Sequence, residues 1–138
     1  MGQILAIDYG KARCGIAATD DMQIIASGLD TVETRFLMEF LKKYFTENKV
    51  DDVVVGLPTD LKGNVSAVET DILKFIEEFQ KEFSGIPVHR LDERFTSKMA
   101  SFFISQSGKS KKKRQEKGLI DKVSATIILQ NFLEQRIR

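Results

Sequence analysis

The chain has 138 residues, 42% of them hydrophobic and 30% charged, with a formal net charge of +1. That length builds one domain around a buried core, and the composition excludes disorder, collagen and a coiled coil. A single cysteine, Cys14, and a single histidine, His89, exclude an intramolecular disulfide, thiolate zinc clusters and His-rich metal sites.

Gln3–Asp8 reads as a first strand, closed by Tyr9 and Gly10. Cys14–Thr19 and Met22–Leu29 read as the second and third, with turn-like breaks at residues 10–13 and 20–21. Strands this close in sequence must pair antiparallel, because parallel pairing needs a crossover of about a dozen residues. Phe36, Phe40, Leu41, Tyr44 and Phe45 then recur at helical spacing, after Thr31 or Thr34 as candidate caps. Val53–Val55 is a β-branched run suited to a strand buried on both faces, and it stops at Gly56-Leu57-Pro58.

A polar loop over residues 59–64 leads to a helix carrying Val68, Ile72, Phe75, Ile76 and Phe79 on one face. Gly85 and Pro87 break that helix before a fifth strand, Val88–Leu91. Thr96 opens another helix to about Ser105. Residues 108–118 form a basic loop, and Leu119–Arg136 is the last helix. This order predicts an α/β fold: a mixed five-stranded sheet, three antiparallel strands followed by parallel βα units, with helices on both faces. No internal repeat or linker divides residues 1–138, so a single domain is expected. No apolar run approaches the ~20 residues of a membrane span. No basic region precedes the first apolar run, so a cytoplasmic protein is expected, without membrane attachment.

The charge is unevenly spread. Residues 1–96 hold 11 Lys and Arg against 17 Asp and Glu, whereas residues 97–138 hold 10 against 3. The basic excess suits a polyanionic partner or a solvated tail.

Three acidic positions draw attention. Asp8 ends the first strand beside a glycine turn, where α/β sheets place ligands. Gly10 and Gly15 are read as turn residues there, as are Gly56 and Pro58 after the fourth strand. Asp92 and Glu93 end the fifth strand and alternate in direction, so at most one of them faces Asp8. Asp121 shares a helical face with Ser124, Ala125, Ile128, Leu129 and Phe132. A carboxylate on a packed face must be paired, protonated or metal-bound unless it caps the helix. Two strand-end carboxylates and one from a helix suit a hard divalent cation, Mg²⁺ or Mn²⁺. Lys109, Lys111, Lys112, Lys113, Arg114 and Lys117 lie just upstream of Asp121, and with Arg13 and Arg94 they are candidate phosphate contacts. His89 and Cys14 are read as packing residues.

Four segments resemble the YqgF family of bacterial RNase H-like proteins: IDYGKARCGIA at 7–17, VVVGLP at 53–58, DERFTS at 92–97, and KSKKKRQEKGLIDKVSATIILQNFL at 109–133. They stand in the family's order and span nearly the whole chain. Phe95, Ser97 and Cys14 depart from the usual residues, and none of these is a carboxylate. The family is described as Holliday junction resolvases and as nucleases that mature the 5′ end of 16S rRNA. The resemblance implies an RNase H-like sheet and a divalent metal held by Asp8, Glu93 and Asp121. It also implies a metal-dependent nuclease whose partner is structured RNA (pre-16S rRNA) or branched DNA, as a monomer or weak homodimer. The alternative of another class is a non-catalytic RNA-binding assembly factor. A sugar-kinase or actin-like ATPase would need a second lobe, which 138 residues do not contain.

Overall fold

A computed structural model describes residues 1–59, 64–92 and 117–137, the last segment with its side chains from Lys122 to Arg136. The elements are β1 (Gln3–Tyr9), β2 (Arg13–Thr19), β3 (Ala26–Glu33), a 3₁₀ turn (Thr34–Phe36), α1 (Leu37–Glu47), β4 (Val50–Leu57), α2 (Glu69–Glu82), β5 (Val88–Asp92) and α3 (Lys117–Ile137). The helix expected to open at Thr96 lies outside the described residues. No helix among the described residues is long and apolar enough to cross a membrane.

The five strands form one sheet in the order β3-β2-β1-β4-β5. β1, β2 and β3 pair antiparallel, as their short connections require, and β1, β4 and β5 pair parallel, as their long connections allow. Strand alternation divides the core in two. Leu5 and Ile7 of β1 face one way, packed with Ile16, Val53 and Val55 against Leu37 and Leu41 of α1 and Ile72, Phe75 and Phe79 of α2. Ile4 and Ala6 face the other way, packed with Ala17, Val54 and Leu91 against Ala125, Ile128 and Leu129 of α3. Helices therefore cover both faces. The central strands β1 and β4 are buried on both sides, which is why Val53–Val55 reads as a continuous apolar run.

Three expectations are corrected. The third strand begins at Ala26, not Met22. Asp20 Oδ1 accepts hydrogen bonds from the Ile24 and Ile25 amides at 2.8 and 2.9 Å. Those amides are thereby committed to a turn, and Met22, Ile24 and Ile25 stay exposed. Neither threonine caps α1: Thr31 lies in β3, and the helix has no side-chain cap. The Thr34 hydroxyl instead donates to the Gly10 carbonyl at 2.6 Å. Finally, Gly15 and Gly56 are strand residues and not turn residues. Gly15 pairs with Asp8 in β2, and Gly56 pairs with Leu91 in β4.

Candidate active site at the carboxyl end of the sheet

Because β1, β4 and β5 run parallel, Asp8, Leu57 and Asp92 reach the same end of the sheet. Asp8 follows Ala6 by two residues and so shares the α3 face. It is partly buried and sits opposite Gly15, which puts no side chain beside the carboxylate. The strand end is held by its own turn. Thr34 donates to the Gly10 carbonyl, its backbone N–H donates to the Ala12 carbonyl at 3.0 Å, and its hydroxyl lies 3.4 Å from Cys14 Sγ. A Cβ at Gly10 would fall 2.5 Å from the Arg13 carbonyl oxygen, so only glycine fits this turn.

α3 runs back along the sheet. Near its end, Arg136 donates to Gln23 Oε1 at 3.1 Å, and the Gln23 amide donates to the Gly2 carbonyl at 2.7 Å. The last turns of α3 thus lie by the start of β1, and its first turns lie toward the end that carries Asp8. α3 begins at Lys117, so Asp121 is inside the helix and does not cap it. Lys117, expected in the basic loop, opens the helix.

β5 is read cleanly by its partners. His89 and Leu91 point to the α3 side, where the His89 ring lies 5.0 Å from the Phe132 ring. His89 Nε2 is also 2.9 Å from Asp52 Oδ1, a partner beyond mere packing. Arg90 points to the α2 side. Its guanidinium donates to both Glu69 carboxylate oxygens at 2.6 and 2.9 Å, and to the carbonyls of Val55 and Gly56 at 3.2 Å. Asp92 is exposed and accepts a hydrogen bond from the Thr59 hydroxyl. Arg90 and Thr59 together fix the end of β4 and the loop that carries Pro58.

Arg13 opens β2 opposite Glu33. Glu93, Arg94, Lys109, Lys111, Lys112, Lys113 and Arg114 lie outside the described residues. Reasoning from sequence missed Arg90, because its partner Glu69 is known only once α2 is laid over β4 and β5.

A five-stranded mixed sheet with helices on both faces and a carboxylate at the end of its first strand defines the RNase H-like class. Solved structures share this fold. T. thermophilus RuvC in complex with Holliday junction substrate superposes with a TM-score of 0.61 at 16% identity, covering 99% of this chain and 96% of that one. The fowlpox virus Holliday junction resolvase superposes at 0.57 and 15% identity, covering 96% and 99%. The chain belongs to the family described as "RuvX: Holliday junction resolvase", which matches residues 2–135. A relative from Flavobacterium johnsoniae, titled "Putative pre-16S rRNA nuclease", is 52% identical over 136 residues, covering 99% of each chain. One from Phocaeicola vulgatus with the same title is 46% identical, covering 99% of this chain and 98% of its own.

Proposed function

We propose that this chain is a divalent-metal-dependent endonuclease that hydrolyses phosphodiester bonds in structured RNA, maturing the 5′ end of 16S rRNA in the cytoplasm. The observation that carries this reading is the position of Asp8. It stands at the carboxyl end of β1, on the α3 face, at the end of the sheet toward which α3 begins. Full-length relatives titled as pre-16S rRNA nucleases support the substrate.

The donors fit a hard cation. Asp8 supplies carboxylate oxygens beside a side-chain-free glycine, and Glu93 and Asp121 would complete an all-oxygen set for Mg²⁺ or Mn²⁺. When bound, the ion supplies Lewis acidity at the phosphodiester. The Thr34–Gly10 hydrogen bond fixes the turn that follows Asp8. Arg13, Arg94 and the lysines and arginine of residues 109–117 grip backbone phosphates, which orients the strand without reading its sequence.

A second reading, resolution of four-way DNA junctions, is favoured by the resemblance to RuvC in fold. The test is side-by-side cleavage of a 16S precursor fragment and a synthetic four-way junction, with Mg²⁺ and with Mn²⁺. Faster cleavage of the precursor, abolished by Asp8→Asn, is the expected result. Preference for the junction would select the second reading. Binding of RNA with cleavage of neither substrate would select a non-catalytic assembly factor.

A further inference from the structure

On the sheet face opposite the Asp8 carboxylate, the start of α1 and the body of α2 part to leave a groove of about 340 Å³. Its floor is aromatic: the Tyr9 ring, packed on the α1/α2 side, lies 5.5 Å from the Phe75 ring at 35°. Lys11 and Lys74 stand at its rim, with Asp71 and Glu78 beside them. Among the described residues, none of these four charged side chains, nor the Tyr9 hydroxyl, makes a hydrogen bond or ion pair.

The groove's location joins it to the candidate active site. Tyr9 is the residue after Asp8, and Lys11 sits in the β1–β2 turn that separates the two faces of the sheet. A polymer bound at Asp8 that passes over this turn enters the groove directly. An aromatic floor with lysines at the rim matches a single-stranded nucleotide, whose base stacks and whose phosphates pair with cations. The volume is of the size that holds a small ligand. The two carboxylates are acceptors suited to exocyclic amino groups of a base.

We propose that this groove is a second substrate subsite, which takes one unpaired nucleotide flanking the cleaved phosphate, its base on Tyr9 and its phosphates on Lys11 and Lys74. The proposal rests on the nuclease reading and extends it to a preference for substrates with single-stranded character next to the cut.

The test is equilibrium binding of a precursor fragment in EDTA, with 2-aminopurine placed in turn at each unpaired position near the cut. Wild-type protein is expected to quench one position strongly by stacking. Tyr9→Leu, which keeps an apolar side chain on the core, should remove that quenching and weaken binding roughly tenfold. Lys11→Ala combined with Lys74→Ala changes only exposed side chains. It should lower the slope of log K against log[salt] by about 1.4, at about 0.7 per phosphate contact. Mn²⁺ affinity, read by calorimetry, should stay unchanged in the lysine pair, which separates this subsite from the metal-holding carboxylates. Wild-type quenching, affinity and salt slope in both variants would overturn the groove and leave the nuclease reading standing. A wild type that binds no nucleic acid would overturn both.

Discussion

Arg90 holds Glu69 through both carboxylate oxygens, at 2.6 and 2.9 Å, and ties the first turn of α2 to the carboxyl end of β4. The pair is only 25% and 16% exposed, so water screens it little. Glu69→Ala would leave the guanidinium half-buried with only the Val55 and Gly56 carbonyls as partners. A loss of about 2 kcal/mol in urea unfolding is expected, the scale of hydrogen bonds to charged groups. Glu33→Ala removes the exposed pair with Arg35 and should change stability by less than about 0.5 kcal/mol. Equal effects of the two substitutions would mean that the Arg90 clamp adds nothing to the fold.

Gly10→Ala tests how tightly the turn after Asp8 is built. The added methyl meets the Arg13 carbonyl oxygen at 2.5 Å, and backbone on both sides must move. Overpacking of this kind costs about 1–3 kcal/mol. The displaced turn also shifts Asp8, so cleavage should fall further than stability alone explains. Thermal unfolding and turnover, measured on the same preparation, check both effects. An unchanged melting temperature would show that the turn relaxes freely.

Much of this fold was legible because periodicity carries it. Ile72, Phe75 and Phe79 are buried at helical spacing, and Ala125, Ile128 and Leu129 lie on the face expected for α3. The errors arose where a polar group overrides a pattern. Met22–Leu29 looks like a strand until Asp20 takes the Ile24 and Ile25 amides, and Thr34 looks like a helix cap until Gly10 takes its hydroxyl. Gly15 and Gly56 read as turn residues because glycine punctuates turns, yet one pairs with Asp8 and the other with Leu91 inside the sheet. The position of Asp8 at the end of β1 was legible from the glycine turn that follows it. The Arg90–Glu69 pair joins residues 21 positions apart and leaves no local signal.

The Asp20 turn gives a pH dependence. The amides of Ile25 and Ile24 hold the Asp20 carboxyl below its ordinary value. A lowered folded-state pKa stabilises the protein at pH above the unfolded value, about 3.9, and that contribution disappears as pH falls through the lower folded value. Asp20→Asn should therefore be less stable than wild type at pH 7, with the difference shrinking below about pH 4. Denaturant unfolding of both proteins across pH 3–7 checks it. A constant difference over that range would mean that the turn does not depend on the charge.

The basic segment separates binding from catalysis. Lys111, Lys112, Lys113 and Arg114 stand within a run of six cations and one Glu at residues 108–118. Each phosphate contact they make releases counterions, which sets the salt dependence of binding. Replacing all four with Ala should weaken RNA binding and flatten the salt slope by up to roughly 3, at about 0.7 per contact. At saturating substrate, turnover should fall far less than for Asp8→Asn if, as proposed, these side chains hold the backbone and Asp8 holds the metal. A quadruple variant with wild-type affinity and slope would remove the segment from binding. Unchanged affinity with collapsed turnover would instead place the segment in the chemical step, and cleavage at graded substrate concentrations distinguishes the two results.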